Sequence, residues 1–237
     1  MDLTTSHRPT PFAEAREGVR DLSPAIVAAI PIGLLFGAVA ASKGLSVLEV
    51  TLMSALVFAG GAQFAAIEMW AWPVPIAALA VSTLLINLRH VLMGASLAPK
   101  TGAFTTAQRL TSFAVMADEN WAFAERRAVE RPLTFAYFGG AGAVFWLNWV
   151  VWSTLGALAG PLLGDPARLG ADFAFTALFI GLIAGFGRAP RTLAAVVASA
   201  VVAAAVHRLL GPPWHVATGA LAGILAAYLA APKEAAR

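Results

Sequence analysis

The ten residues LLINLRHVLM (84–93) set an asparagine, an arginine and a histidine inside a run that is otherwise leucine, isoleucine, valine and methionine. Read as a helix, Thr83, Asn87, His90 and Gly94 share one face, because their spacing follows the helical repeat. Arg89 falls on another face, with Ser82, Met93 and Ser96. Two polar faces leave little surface for lipid, so this helix is read as enclosed by protein. Arg89 lies about 13 Å along the axis from the end of its apolar run, too deep for snorkelling alone to relieve it. An arginine at mid-membrane costs about 2.5–3.5 kcal/mol on insertion scales. It needs an anion, either Asp118 or Glu119 of ADEN (117–120) or the carboxylate of a substrate.

The rest of the chain has the same character. Of 237 residues, 59% are apolar and only 12% charged, against about 25% charged in a soluble domain. One integral membrane domain over 22–231 is expected, between cytoplasmic tails at 1–21 and 232–237. Residues 1–21 are polar, mixed in charge and without the apolar core of a signal peptide, with a short amphipathic helix from Phe12 to Val19. There is no cysteine, which excludes disulfides, thiolate metal sites and cysteine nucleophiles. No metal and no cofactor is expected. The net charge of +3 is spread over segment ends rather than gathered in a patch, so nucleic acid is not an expected partner, whereas membrane lipid is.

A span needs about 20 apolar residues to cross about 30 Å of hydrocarbon. Candidates are 22–42, 50–67, 74–98, 133–159, 173–187, 192–206 and 214–231, with 104–124 ambiguous because it carries Arg109, Asp118, Glu119 and Asn120. The fold class is therefore all-α: a polytopic integral membrane protein of seven or eight transmembrane segments, some broken or short, with a weak internal repeat. The basic residues at segment ends divide equally well whether 104–124 crosses or not. Eight segments with both ends inside is preferred, since an arginine-containing tail is costly to translocate. That arrangement places Lys100 and Arg109 outside and Arg126, Arg127 and Arg131 inside. At about 22 Å each, 173–187 and 192–206 are too short, and short or interrupted segments often flag a transporter's substrate site. FGAVAASKG (36–44) with SALVF (54–58) echoes LGALAGPLLG (155–164) with TALF (176–179). The two copies run parallel if 104–124 crosses and inverted if it does not.

Further polar groups sit where lipid would not accept them. In FAGGAQF (58–64), adjacent Gly60 and Gly61 weaken a helix by about 1 kcal/mol each relative to alanine, and Gln63 adds an amide that needs a partner. Close packing through small residues and a helix broken at Gly60–Gly61 to meet a ligand are both compatible with this. Asp118 and Glu119 read either as a membrane-edge cluster or as coupling or ammonium-binding carboxylates. His90 reads as a satisfied buried histidine or as a proton carrier. WLNWVVW (146–152) puts Asn148 among three tryptophans in mid-segment, where they could line a cavity.

IPIGLLFG (30–37), FAGGAQF (58–64), NLRHVLM (87–93), ADENWAF (117–123) and WLNWVVWSTLGALAG (146–160) follow one another in this order. Together they resemble the AzlC family of branched-chain amino acid permeases, over roughly residues 18–230. The resemblance implies a multi-pass exporter of the bacterial cytoplasmic membrane for leucine, isoleucine, valine or analogues, with a second, small membrane subunit of the AzlD type. A zwitterionic substrate fits the candidate residues, Gly60, Gly61, Gln63, Asn87, Arg89, His90, Asp118, Glu119 and Asn148. It needs a cation or helix N-termini for its carboxylate and an acid or carbonyls for its ammonium. With no nucleotide-binding loop in the chain, proton flow is the expected energy source. An enzyme is not expected, since H-E-x-x-H, the P-loop and cysteine are all missing. The alternative is a structural or regulatory membrane subunit of another small-molecule transporter or channel.

Overall fold

Thr10 caps the first helix by accepting the Ala13 amide at 3.3 Å, and Pro11 supplies the fixed φ suited to its first position. In this computed structural model, which describes residues 10–163, 180, 183–184, 189–211 and 214–231, that helix, α1, runs without a break from Pro11 to Ser42. The amphipathic stretch at Phe12–Val19 is thus its opening turns rather than a separate element. Pro24 leaves the Arg20 carbonyl without its helical donor, and Ser23 Oγ donates to that oxygen instead, at 2.8 Å.

The described helices that follow are α2 (Val47–Val57), α3 (Gly60–Glu68), α4 (Ile76–Leu97), α5 (Thr106–Ala114) and α6 (Asp118–Glu130). After them come α7 (Phe135–Leu163), α8 (Pro190–Leu210) and α9 (Trp214–Leu229). Among the described residues there is no strand, and four helices are long and apolar enough to cross a membrane: α1, α4 with the turn after it, α7 and α8. Two expected spans are not single helices. Residues 50–67 divide into α2 and α3, and 104–124 into α5 and α6, each too short at about 1.5 Å per residue. The expected short span 192–206 gains residues at both ends, and α8 is 21 residues long. Most of 173–187, and the second copy of the repeat beyond Leu163, lie outside the described residues.

The chain divides into two compact units, residues 1–60 with 88–164 and residues 61–87 with 165–237. The first is built on a seam between α1 and α7. A Cβ at Gly18 would overlap the Tyr137 carbonyl, one at Gly37 the Ser153 carbonyl and one at Gly156 the Leu34 carbonyl, while one at Gly33 would sit 3.1 Å from the Trp152 Cβ. The backbones approach so closely only because these positions lack side chains, the device of small-residue helix pairs in membranes. Contact positions rise together on both helices, so α1 and α7 run parallel. Gly37 and Gly156 lie in the described helical parts of the two repeat copies, which run parallel here although 104–124 is not a single helix.

Three further elements of this unit take their direction from α7. α2 runs antiparallel to it, with Thr51 Oγ1 2.8 Å from Thr154 Oγ1, Ser153 Oγ donating to Ser54 Oγ at 2.7 Å and Trp146 Nε1 donating to the Ala55 carbonyl at 3.0 Å. α5 runs parallel to α7. Phe104 meets Phe135, Phe113 meets Phe138 and Val115 meets Gly142. α6 returns antiparallel, from Asn120 beside Gly142 to Arg127 over the Tyr137 ring at 4.4 Å. In the second unit, α8 and α9 pack antiparallel. Ser199 Oγ donates to the Gly219 carbonyl at 2.8 Å, and a Cβ at Gly219 would lie 2.9 Å from that of Ala203.

Candidate functional site

Phe58 ends α2 in the left-handed region, at φ 40 and ψ 48. A bulky residue there is a genuine outlier, and such strain persists only where the surroundings hold it. The Phe58 ring packs edge-on against Phe145 at 6.1 Å between centroids, and Phe36 stacks on Trp149 at 6.0 Å. Trp146 satisfies the Ala55 carbonyl, one of the last four of α2, which have no partner inside the helix. The break is real, but it falls at Phe58–Ala59 and not at Gly60–Gly61, which open α3. Gly60 serves proximity instead, since a Cβ there would sit 3.2 Å from the Trp149 ring. Gly61 is buried, and Gln63 is fully so.

The second break lies between α5 and α6. Asn120 organises it, 2% exposed, with Oδ1 accepting the Ala117 amide and Nδ2 donating to the Val115 carbonyl, both at 2.8 Å. A Cβ on Gly142 of α7 would lie 2.7 Å from that Nδ2, so only glycine admits the turn at this depth. Asp118 and Glu119 occupy the first turn of α6, where the helix dipole favours negative charge. Arg89 Nη1 donates to Asp118 Oδ2 at 2.5 Å, and both side chains keep 31% exposure. This is the pairing that the sequence called for. Arg89 Nε has no acceptor among the described residues.

The level of the pair along the first unit follows from its neighbours. Asn120 sits on Gly142, while Tyr137 bonds Asp21 and Asn148 bonds the Ile26 carbonyl. The pair is therefore level with the place where the charged opening of α1 gives way to its apolar stretch. Glu119 is half-buried, and that burial, reinforced by the charge of Asp118, pushes its carboxyl above the ordinary range against the pull of Arg89.

Asn148 Nδ2 donates to the Ile26 carbonyl of α1 at 3.2 Å, next to the Val27 carbonyl that Pro31 leaves without a helical donor. It ties the two helices together, with Trp149 buried beside it. His90 is half-buried one residue beyond Arg89. Asn87 lines a groove along α4 with Ile76, Leu79, Ala80, Thr83 and Leu84.

One cluster was missed by reading residues 1–21 as a tail. Arg127, 4% exposed, reaches Glu14 at 2.7 Å and Glu17 at 3.0 Å. Thr134 also donates to Glu14, Arg131 pairs with Glu17 and Tyr137 Oη donates to Asp21 at 2.7 Å. The signal was available: Glu14, Glu17 and Asp21 share a helix face, and Arg127 and Arg131 are one turn apart.

Comparison with known proteins places the chain among membrane proteins. Residues 24–163 match the family described as AzlC protein. The chain is 30% identical to Inner membrane protein YgaZ of Escherichia coli (strain K12), over 98% of this chain and 96% of that one. It is 29% identical to an uncharacterized membrane protein of Archaeoglobus fulgidus, over 95% and 96%. A membrane protein of Haemophilus influenzae, also uncharacterized, is 26% identical over 73% and 72%. No solved structure matches the chain.

Proposed function

The chain belongs to the AzlC family, and from that premise we propose that it is a multi-pass transporter of the cytoplasmic membrane, not an enzyme, that exports branched-chain amino acids. The observation that carries this reading is the Arg89–Asp118 pair, which stays partly exposed. An amino acid zwitterion carries the same two charges. Its carboxylate takes the guanidinium and its ammonium takes Asp118, so substrate exchanges for the internal pair without stranding either charge. A valine or leucine side chain adds nothing polar, which suits a chain that is 59% apolar.

Export against a gradient needs energy, and in this reading it is the proton gradient. Glu119, raised by burial beside the pair, and His90 are the groups suited to carry the proton. A small membrane subunit of the AzlD type completes the transporter. The test is movement of radiolabelled valine in proteoliposomes, with and without such a subunit, and export from cells loaded with a valine dipeptide, with and without a protonophore, in wild type and in His90→Gln. Valine movement that the protonophore abolishes is the expected result. A chain that moves no branched-chain amino acid under any of these conditions is instead a structural or regulatory subunit.

A further inference from the structure

The directions of the helices constrain how often the chain crosses the membrane. α1 and α7 run parallel, so residues 43–134 between them cross an odd number of times. Leu97, Phe104, Leu133, Tyr137 and Phe138 share one buried cluster, and Lys100 pairs with Glu125. The chain therefore leaves α4 and enters α7 at the same end, and 98–134 does not cross. That leaves residues 43–97 with an odd number of crossings and two elements to make them. α4 is one uninterrupted apolar helix, whereas 47–68 is broken at Phe58. If both crossed, the number would be even.

We propose that residues 47–75 form a re-entrant hairpin, entering and leaving on the side of Lys43, and that residues 98–134 form a second hairpin confined to the opposite side. Charge fixes which side is which. Arg16, Arg20, Lys100, Arg109, Arg126, Arg127 and Arg131 gather at the end of the first unit where α1 and α7 begin, and Lys43 stands at the other. By the positive-inside rule the first end is cytoplasmic. Placing Lys100 and Arg109 inside removes the tie that loop charges left between a crossing and a non-crossing 104–124.

The tips of the two hairpins converge on one stripe of α7. Phe58 packs on Phe145 and Asn120 on Gly142, positions about one helical turn apart on the same face. The broken end of α2 is thus approached from outside, Arg89–Asp118 from the cytoplasm, and one turn of α7 separates them. This deepens the transport reading by naming its barrier, but the topology holds or falls independently of transport.

The chain has no cysteine, so single cysteines report on their own positions. Trp72 is 76% exposed and Val129 85%, while Lys43 and Ala103 are also exposed. Lys43→Cys, Trp72→Cys, Ala103→Cys and Val129→Cys are each treated with a membrane-impermeant maleimide, in intact cells and in inverted vesicles. The expected result is that Trp72→Cys labels with Lys43→Cys in intact cells and Ala103→Cys with Val129→Cys in inverted vesicles, each losing its signal on the other side. Straight crossings at 50–67 and 104–124 exchange Trp72→Cys and Ala103→Cys, and either exchange overturns the proposal. Ala71→Cys and Thr106→Cys, both exposed neighbours, replace any variant that does not accumulate. Labelling is read without substrate, so a protein that moves no valine still gives the answer.

Discussion

Two arginine–carboxylate pairs stand at opposite ends of α6, and they are built differently. At its C-terminal end Arg127 is buried, with Glu14, Glu17 and the Tyr137 ring all supplied by the fold. At its N-terminal end Arg89 meets Asp118 alone, and both side chains are a third exposed. The residue types are the same, but the degree of closure is not. A buried pair shut off from solvent holds α1 to α6 and is out of reach of an arriving ligand. A half-open pair contributes little to stability and stays within reach of something that arrives.

The sharpest way to break this contrast is to remove the closed pair. Arg127→Ala strands Glu14 and Glu17, and losing one partner of a buried pair costs about 3–5 kcal/mol. Thermal unfolding in detergent should show a larger loss than Glu14→Gln, Asn120→Ala or Arg89→Ala produces. Glu14→Gln, which keeps shape and loses charge, should cost about 1–3 kcal/mol, as for a buried group deprived of its partner. If Arg127→Ala unfolds no earlier than Arg89→Ala, the two pairs are not different in kind.

Asn120→Ala comes next. It removes the cap of α6 and the bond to Val115, so a loss of about 1 kcal/mol is expected, as for other N-terminal caps. Because Asn120 sets the turn that presents Asp118, transport should fall further than that loss explains. Gly142→Ala tests the same turn from the α7 side, since its new methyl would meet Asn120 Nδ2.

These residues also show how far the sequence could be read. The pairing of Arg89 with the ADEN motif was legible, because a charge in an apolar run must find its opposite. Its level along α1 and α7 was not, since it depends on where α6 lies against α7, and that depends on Gly142. The break in 50–67 was legible from two glycines, yet the hinge is Phe58. Glycine was needed there to approach Trp149, and no local propensity places a phenylalanine at positive φ. Glu14 and Glu17 looked like a solvated tail because their partners are more than a hundred positions away.

Arg89→Ala should cost at most about 1 kcal/mol, the usual limit for exposed pairs, while valine transport is lost. Arg89→Lys separates charge from geometry. Lysine keeps the charge but not the planar fork that holds a carboxylate at two points, so weaker valine binding with retained folding is expected. Full transport by Arg89→Lys would show that the fork is not used, and full transport by Arg89→Ala would remove the half-open pair from the site altogether.

The smallest expected effect on stability is at Glu119, and it is one of pH rather than of magnitude. Burial holds this carboxyl above its ordinary value of 4.5, so the folded protein binds the proton more tightly than the unfolded chain does. By linkage, the stability that comes from the protonated form is full below the unfolded value and is lost as pH rises through the folded one. Glu119→Gln mimics the protonated carboxyl at every pH. Melting temperature followed upward from about pH 4.5 should therefore fall less steeply in the variant than in wild type, with the two close to each other at the acid end. The same variant tests coupling, because an amide cannot release a proton. If Glu119→Gln exports valine with an unchanged pH profile and the same sensitivity to a protonophore, the proton does not pass through Glu119, and His90 becomes the remaining carrier beside the Arg89–Asp118 pair.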